Sequence, residues 1–150
     1  MTTTNPTKPN HALDNCKGQL EKIIELYKLS DAASDASLDC ALERSIDDPE
    51  RDIEEEARGM ALDACWKSDY WEAVGAELIP TKGRVLLSWG GPACQVVCDL
   101  DGDVASNPEI QWQDWSTPWR TPSIQYELEL DFDIATAALE WFITLFYWGE

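Results

Sequence analysis

DLDGD, residues 99–103, sets Asp99, Asp101 and Asp103 at alternate positions around a single glycine. Carboxylates at positions one, three and five open a calcium loop of the EF-hand type, which then needs glycine at six and glutamate at twelve. Here position six is Val104 and position twelve is Ile110, while Glu109 falls one place early. Both flanks read as strands, so the segment is a hairpin turn at Asp101-Gly102 and no metal is assigned to it. Cys94 and Cys98 stand four apart. On a strand that spacing covers about 13 Å, too far for both sulfurs to hold one zinc ion, and QVV between them argues against a helix. They are expected as buried thiols acting as small hydrophobes. His11, the single histidine, lies in a weakly ordered start and cannot serve as the firmly held base of a Ser/His/Asp or Cys/His set. Gly90-Gly91 has neither the glycine spacing of a dinucleotide site nor the lysine and Ser/Thr of a P-loop. No catalytic residue and no cofactor is expected, and the chain reads as a non-enzyme.

Binding is the chemistry that remains, and YELELDFDI, residues 126–134, is its main candidate. Tyr126, Leu128, Leu130, Phe132 and Ile134 alternate there with Glu127, Glu129, Asp131 and Asp133. A period of two predicts a half-buried strand, with its last residues also placed to cap a following helix. On a strand the four acids would project from one face roughly 7 Å apart. Duplex DNA also carries a regular rank of negative charge, so such a row would fit a groove built of Lys and Arg. A solvated strand face explains the same pattern. Glu127, Glu129, Asp131 and Asp133 are the first candidates for partner binding, with Asp99, Asp101 and Asp103 second.

The elements that would carry these residues follow from periodicity. Leu13, Cys16, Leu20, Ile23, Ile24 and Tyr27 form a helical stripe ending near Leu29, followed by SDAASDAS as a loop or a weak helix N-terminus. Leu38, Leu42 and Ile46 mark a second helix, and Asp48-Pro49 a third that runs through IEEEAR to Gly59. MALDACWKSDYW alternates like a strand, although a continued helix is also compatible. GRVLLSW and ACQVVCDLD predict strands separated by Gly90-Gly91-Pro92, and EIQWQDW predicts another. Pro118 and Pro122 bracket a loop. ATAALEWFITLFYW is helical, with Thr136, Glu140 and Thr144 as one narrow polar stripe. The expected fold is α+β: N-terminal helices, an antiparallel meander of about four to five strands, and a C-terminal helix packed on the sheet. Residues 1–150 are read as a single domain, with a flexible arm over 1–10, a helical part over 11–59, and sheet plus helix over 60–150.

Composition limits the partner. Twenty-nine acids against eleven bases give a net charge of −18. High charge with few aromatics would suggest disorder, but eight tryptophans and patterned apolar residues indicate a folded acidic body. Beyond Arg84 the only base is Arg120. Such a field repels nucleic acid and anionic lipid and attracts basic surfaces, although acidity can also serve solubility alone. The start MTTTNPTKPNHALDN lacks the apolar stretch of a signal peptide, and no run of ~18 apolar residues occurs. Five scattered cysteines fit reduced thiols in a cytoplasm. In WQDWSTPW, residues 112–119, Trp112 and Trp115 fall on opposite sides of a strand and cannot form one stacking face. Trp112 is expected under the closing helix, with Trp115 and Trp119 clamping the proline loop.

Gly90 to Ala93, Trp112 to Trp115, Thr117 to Trp119 and Phe146 to Glu150 give a pattern of GGPA, WQDW, TPW and FYWGE. It resembles a group of small acidic phage and prophage proteins over about residues 60–150. The resemblance implies a mobile-element protein acting inside a bacterial cell, in the setting of anti-CRISPR and DNA-mimic inhibitors. The expected partner is then a basic nucleic-acid-binding protein or complex of host defence, with no direct contact to nucleic acid or membrane. The alternative is an interaction protein, antitoxin-like or chaperone-like, or a homodimer through the apolar C-terminal helix.

Overall fold

A computed structural model describes residues 11–34, 52–68, 71, 74–90, 92–115 and 117–148. The arm over 1–10, the helix expected around Leu38, Leu42 and Ile46, and the Asp48-Pro49 cap lie outside them.

Helix α1 spans His11–Ser34. Ala12, Cys16, Leu20, Ile23 and Leu26 recur every three or four residues and are fully buried, so one stripe of the helix enters the core. His11 is an exposed residue at its first position. The helix runs on through SDAAS rather than ending near Leu29, because that segment holds helix-favouring alanines and neither glycine nor proline. Helix α2, Ile53–Arg58, opens at Asp52, whose Oδ1 accepts the Glu55 N–H at 3.0 Å. The extended backbone of Asp52 makes Ile53 the first residue of this helix. Lys22 on α1 reaches Glu56 on α2 at 3.6 Å, while Ala57 is buried beside them.

Strands β1 (Asp63–Lys67), β2 (Lys82–Ser88), β3 (Pro92–Asp101) and β4 (Val104–Asp114) form an antiparallel meander in the order β1-β2-β3-β4. The alternation over Asp63–Lys67 is therefore strand and not continued helix. Gly102, at φ +66°, makes the β3–β4 turn where glycine tolerates the left-handed backbone. Register fixes two faces. Val85 stands opposite Val96, Val96 opposite Ile110, and Cys94 opposite Trp112, and all of these are buried in one apolar cluster with α1 and helix α3, Phe132–Ile143. The opposite face carries Cys65, Arg84, Val97 and Glu109 in one cross-strand row, and Leu86, Gln95 and Gln111 in the next.

Helix α3 places Ala135, Ala138, Leu139, Phe142 and Ile143 in the core. Burying Leu139, Phe142 and Ile143 contributes roughly 2 kcal/mol each before the entropy of ordering them is subtracted. Trp141 meets Tyr27 of α1 at 5.9 Å between ring centroids, and the polar stripe leaves Glu140 and Thr144 exposed. The helix thus spends most of its apolar surface inside the chain, leaving Phe132 and Ile134 exposed at its start. After α3 the chain turns back. Trp148 donates Nε1–H to the Ile143 carbonyl at 2.8 Å and is buried against Gly83. A Cβ at Gly83 would lie 2.8 Å from Trp148 Cζ3, so the ring fills the space a side chain would need.

Residues 126–134 are not a strand. Ile124–Glu127 form a turn, Leu128 and Leu130 dip into the core, and α3 begins at Phe132. Tyr126 is 80% exposed and Phe132 is 55% exposed, so the alternating apolar residues do not share one buried face. The period of two is met by a turn and a helix start. Its third acid, Asp131, caps that helix, within the stretch whose last residues the sequence allowed to cap it. Among the described residues no helix is long and apolar enough to cross a membrane.

Candidate functional site

The four acids of the expected ladder sit in four different local structures. Glu127 closes a turn, its Oε1 accepting the Ser123 N–H at 3.0 Å while Ser123 Oγ accepts the Tyr126 N–H at 3.2 Å. Glu129 occupies left-handed backbone at φ +56°. Asp131 caps α3, its Oδ1 accepting the Ile134 N–H at 3.0 Å. Asp133 lies in the first turn of α3, where its charge meets the positive end of the helix dipole. All four are exposed, but two are held by the backbone and none follows the next at strand spacing. The row of carboxylates at regular intervals is therefore replaced by an irregular acidic segment.

That segment borders a groove of about 690 Å³ between β4, the Thr121–Tyr126 stretch and α3. Ile110, Ile124, Tyr126 and Phe132 give it apolar lining, and Glu109 and Glu140 give it charge. Among the described residues no lysine or arginine lines it.

Asp99, Asp101 and Asp103 do not act together. Asp99 pairs with Lys82 and accepts the Asn107 Nδ2–H at 3.0 Å. The Lys82 ammonium, and then Asn107, hold its carboxyl below the usual carboxylate range. Asn107 reaches it because β4 leaves register with β3 between Val97 and Asp99, with Asn107 at φ +51°. Asp101 and Asp103 are exposed at the hairpin turn. Among the described residues no group of three His, Cys, Asp or Glu side chains could hold a metal.

Cys94 and Cys98 are buried thiols, as expected. A hydrogen bond with Cys16 of α1, together with burial, pushes the Cys94 thiol far up. Burial pushes Cys98 up to about 11. Neither is suited to nucleophilic or metal chemistry, which needs the thiolate.

The tryptophans divide. Trp112 is buried in the core beneath the Arg120 guanidinium, 5.8 Å from its ring centroid. Trp115 is 79% exposed at φ +35°, so it does not clamp the proline loop. Trp119 is half-buried on the face of the sheet opposite α1 and α3. It arrives there because Trp112 and Arg120 exchange backbone hydrogen bonds of 2.9 Å, which sets Thr121 beside Gln111.

The face that no helix among the described residues covers carries a second groove, of about 540 Å³, that motif reading missed. Gln95 is 4% exposed, and its Nε2 donates to Gln111 Oε1 at 2.8 Å. Gln111 Nε2 donates to Thr121 Oγ1 at 3.2 Å, and Thr121 Oγ1 donates to Glu109 Oε2 at 3.3 Å. Among the described residues, Gln95 Oε1 is buried without a partner. Arg84 and Trp119 line the same groove. One signal pointed there: Gln95 interrupts the otherwise apolar run of ACQVVC. No family model, curated protein or solved structure matches this chain.

Proposed function

We propose that this chain is a non-enzymatic inhibitor of a bacterial nucleic-acid-targeting defence system, of the anti-CRISPR or DNA-mimic kind. It acts in the cytoplasm of the host cell by seating its acidic surface in a basic groove of the defence complex. The observation that carries this reading is the groove between β4 and α3, in which exposed Tyr126 and Phe132 lie among carboxylates. Aromatic anchors inside a charged rim are the arrangement that gives an interface both affinity and steering. Glu127, Glu129, Asp131 and Asp133 flank the two rings in the chain, and no base follows Arg120. The match to a nucleic-acid groove is in sign of charge and not in the spacing of a strand.

The test uses Glu129→Lys with Glu140→Lys, two exposed acids that hold no cap, and separately Tyr126→Ala. In cells that carry a CRISPR or restriction system, the wild-type protein should restore plating of a targeted phage. Both variants should lose that protection while melting like the wild type. Full protection by the folded double variant would remove this site from the function. Absence of protection across a panel of such systems would remove the function itself.

A further inference from the structure

We infer that the face of the sheet left uncovered by α1 and α3 is a binding site for a free mononucleotide, sharing Glu109 with the lining of the acidic groove. The direction of its hydrogen-bond relay specifies the ligand. Glu109, as a carboxylate, only accepts, so Thr121 must give its hydroxyl proton to it. Thr121 Oγ1 must then accept from Gln111 Nε2, which turns Gln111 Oε1 toward Gln95 and commits Gln95 Nε2 to that bond. The atom left over on Gln95 is therefore its carbonyl oxygen, a buried acceptor on a residue that lines the groove. An orphaned buried acceptor is destabilising, and a ligand N–H that reaches it recovers that cost on binding.

The surroundings supply the rest of a nucleotide site. Three of the four basic residues beyond residue 60, Lys67, Lys82 and Arg84, are on this face, in a chain that is otherwise overwhelmingly acidic. Lys82 is engaged by Asp99, whereas the exposed Arg84 donates to Cys65 Sγ at 3.4 Å and has no carboxylate partner among the described residues. Its guanidinium suits a phosphate, which it can bind through two parallel N–H donors. Arg84 and Gln95 lie on neighbouring strands, in adjacent rows of the face. Trp119 offers an indole ring on which a base stacks. Nucleobases carry the N–H donors that Gln95 Oε1 lacks. The groove, at about 540 Å³, falls within the usual size range of small-molecule sites. Glu109 at its far side, and the net charge of −18, oppose a polymer with many phosphates. A single nucleotide satisfies the donor, ring and anion requirements together.

Calorimetry and tryptophan quenching would test this with AMP, CMP, GMP and UMP, the matching nucleosides, and a short single-stranded DNA. At least one monophosphate should bind with Kd below ~1 mM and quench fluorescence. Arg84→Ala should weaken that monophosphate about tenfold while leaving its nucleoside unchanged. Trp119→Leu should weaken both and remove the quenching. Gln95→Met should weaken both; if it does not fold, the two surface variants decide. Failure of all four monophosphates to bind, wild-type affinity in Arg84→Ala and Trp119→Leu, or tighter binding of the oligonucleotide would each overturn the assignment.

Discussion

At the scale of single residues, the buried thiols tie this fold to pH. Cys98 holds its proton up to about 11 against an ordinary 9.0, chiefly because burial penalises the thiolate. A proton bound more tightly in the folded chain than in the unfolded one stabilises the fold fully below the ordinary value. That contribution is lost as pH rises through the folded value. Cys94, raised through Cys16 and burial, acts in the same direction. Urea unfolding at about pH 8 and about pH 10.5 should therefore show a loss of stability across that window, smaller in Cys98→Ala than in the wild type. Equal losses in both proteins would show that Cys98 does not drive it. The same scale shows what a linear reading conceals. The burial of Cys94 and Cys98 was legible, because small apolar types inside a Val-rich strand have one plausible destination. The Gln95–Gln111–Thr121–Glu109 relay was not, because it joins four residues through a strand register and a single bridge. Neither the register nor the bridge is encoded in local spacing.

At the scale of elements, three-residue and four-residue periodicity placed α1 and α3, and turn chemistry at Gly90-Gly91-Pro92 and Asp101-Gly102 divided the strands correctly. YELELDFDI failed for a specific reason. Alternation is compatible with any path that keeps Leu128 and Leu130 inward, and Asp131 competes for the segment as a helix cap. The cap won, since it satisfies a backbone donor of α3 that a strand ending there would have left to solvent. Asp131→Ala should cost about 1 kcal/mol of unfolding free energy with an unchanged denaturant slope, while Asp131→Asn should cost only a fraction of that. If alanine were tolerated at no cost, the first turn of α3 would have to be anchored by packing alone. The helix end at Ser34, beyond the expected boundary near Leu29, is the milder form of the same lesson. Asp and Ser weaken a helix without stopping it.

At the scale of the whole molecule, one sheet separates two different surfaces. Helices cover one face, and the acidic groove opens at their margin with β4. The other face collects most of the basic side chains of the second half of the chain. With a net charge of −18, the folded chain is under self-repulsion that salt relieves. Raising sodium chloride from about 0.02 M to about 0.3 M should raise the melting temperature of the protein alone and weaken any complex made through the acidic groove. A complex indifferent to salt would place the contact on the apolar lining and not on the carboxylates.

The irregularity in β4 has a consequence for solubility. This strand is an edge of the sheet, and a flat edge offers a row of unpaired donors and acceptors to any second sheet. Here Asn107 bends the strand out of register, Pro108 contributes no N–H, and Glu109 adds charge beside them. Arg120 occupies the backbone groups of Trp112 near the other end. The hairpin that borders both grooves is thereby a poor template for growth into fibres, and a chain with eight tryptophans can keep several of them exposed without its β4 edge seeding aggregation.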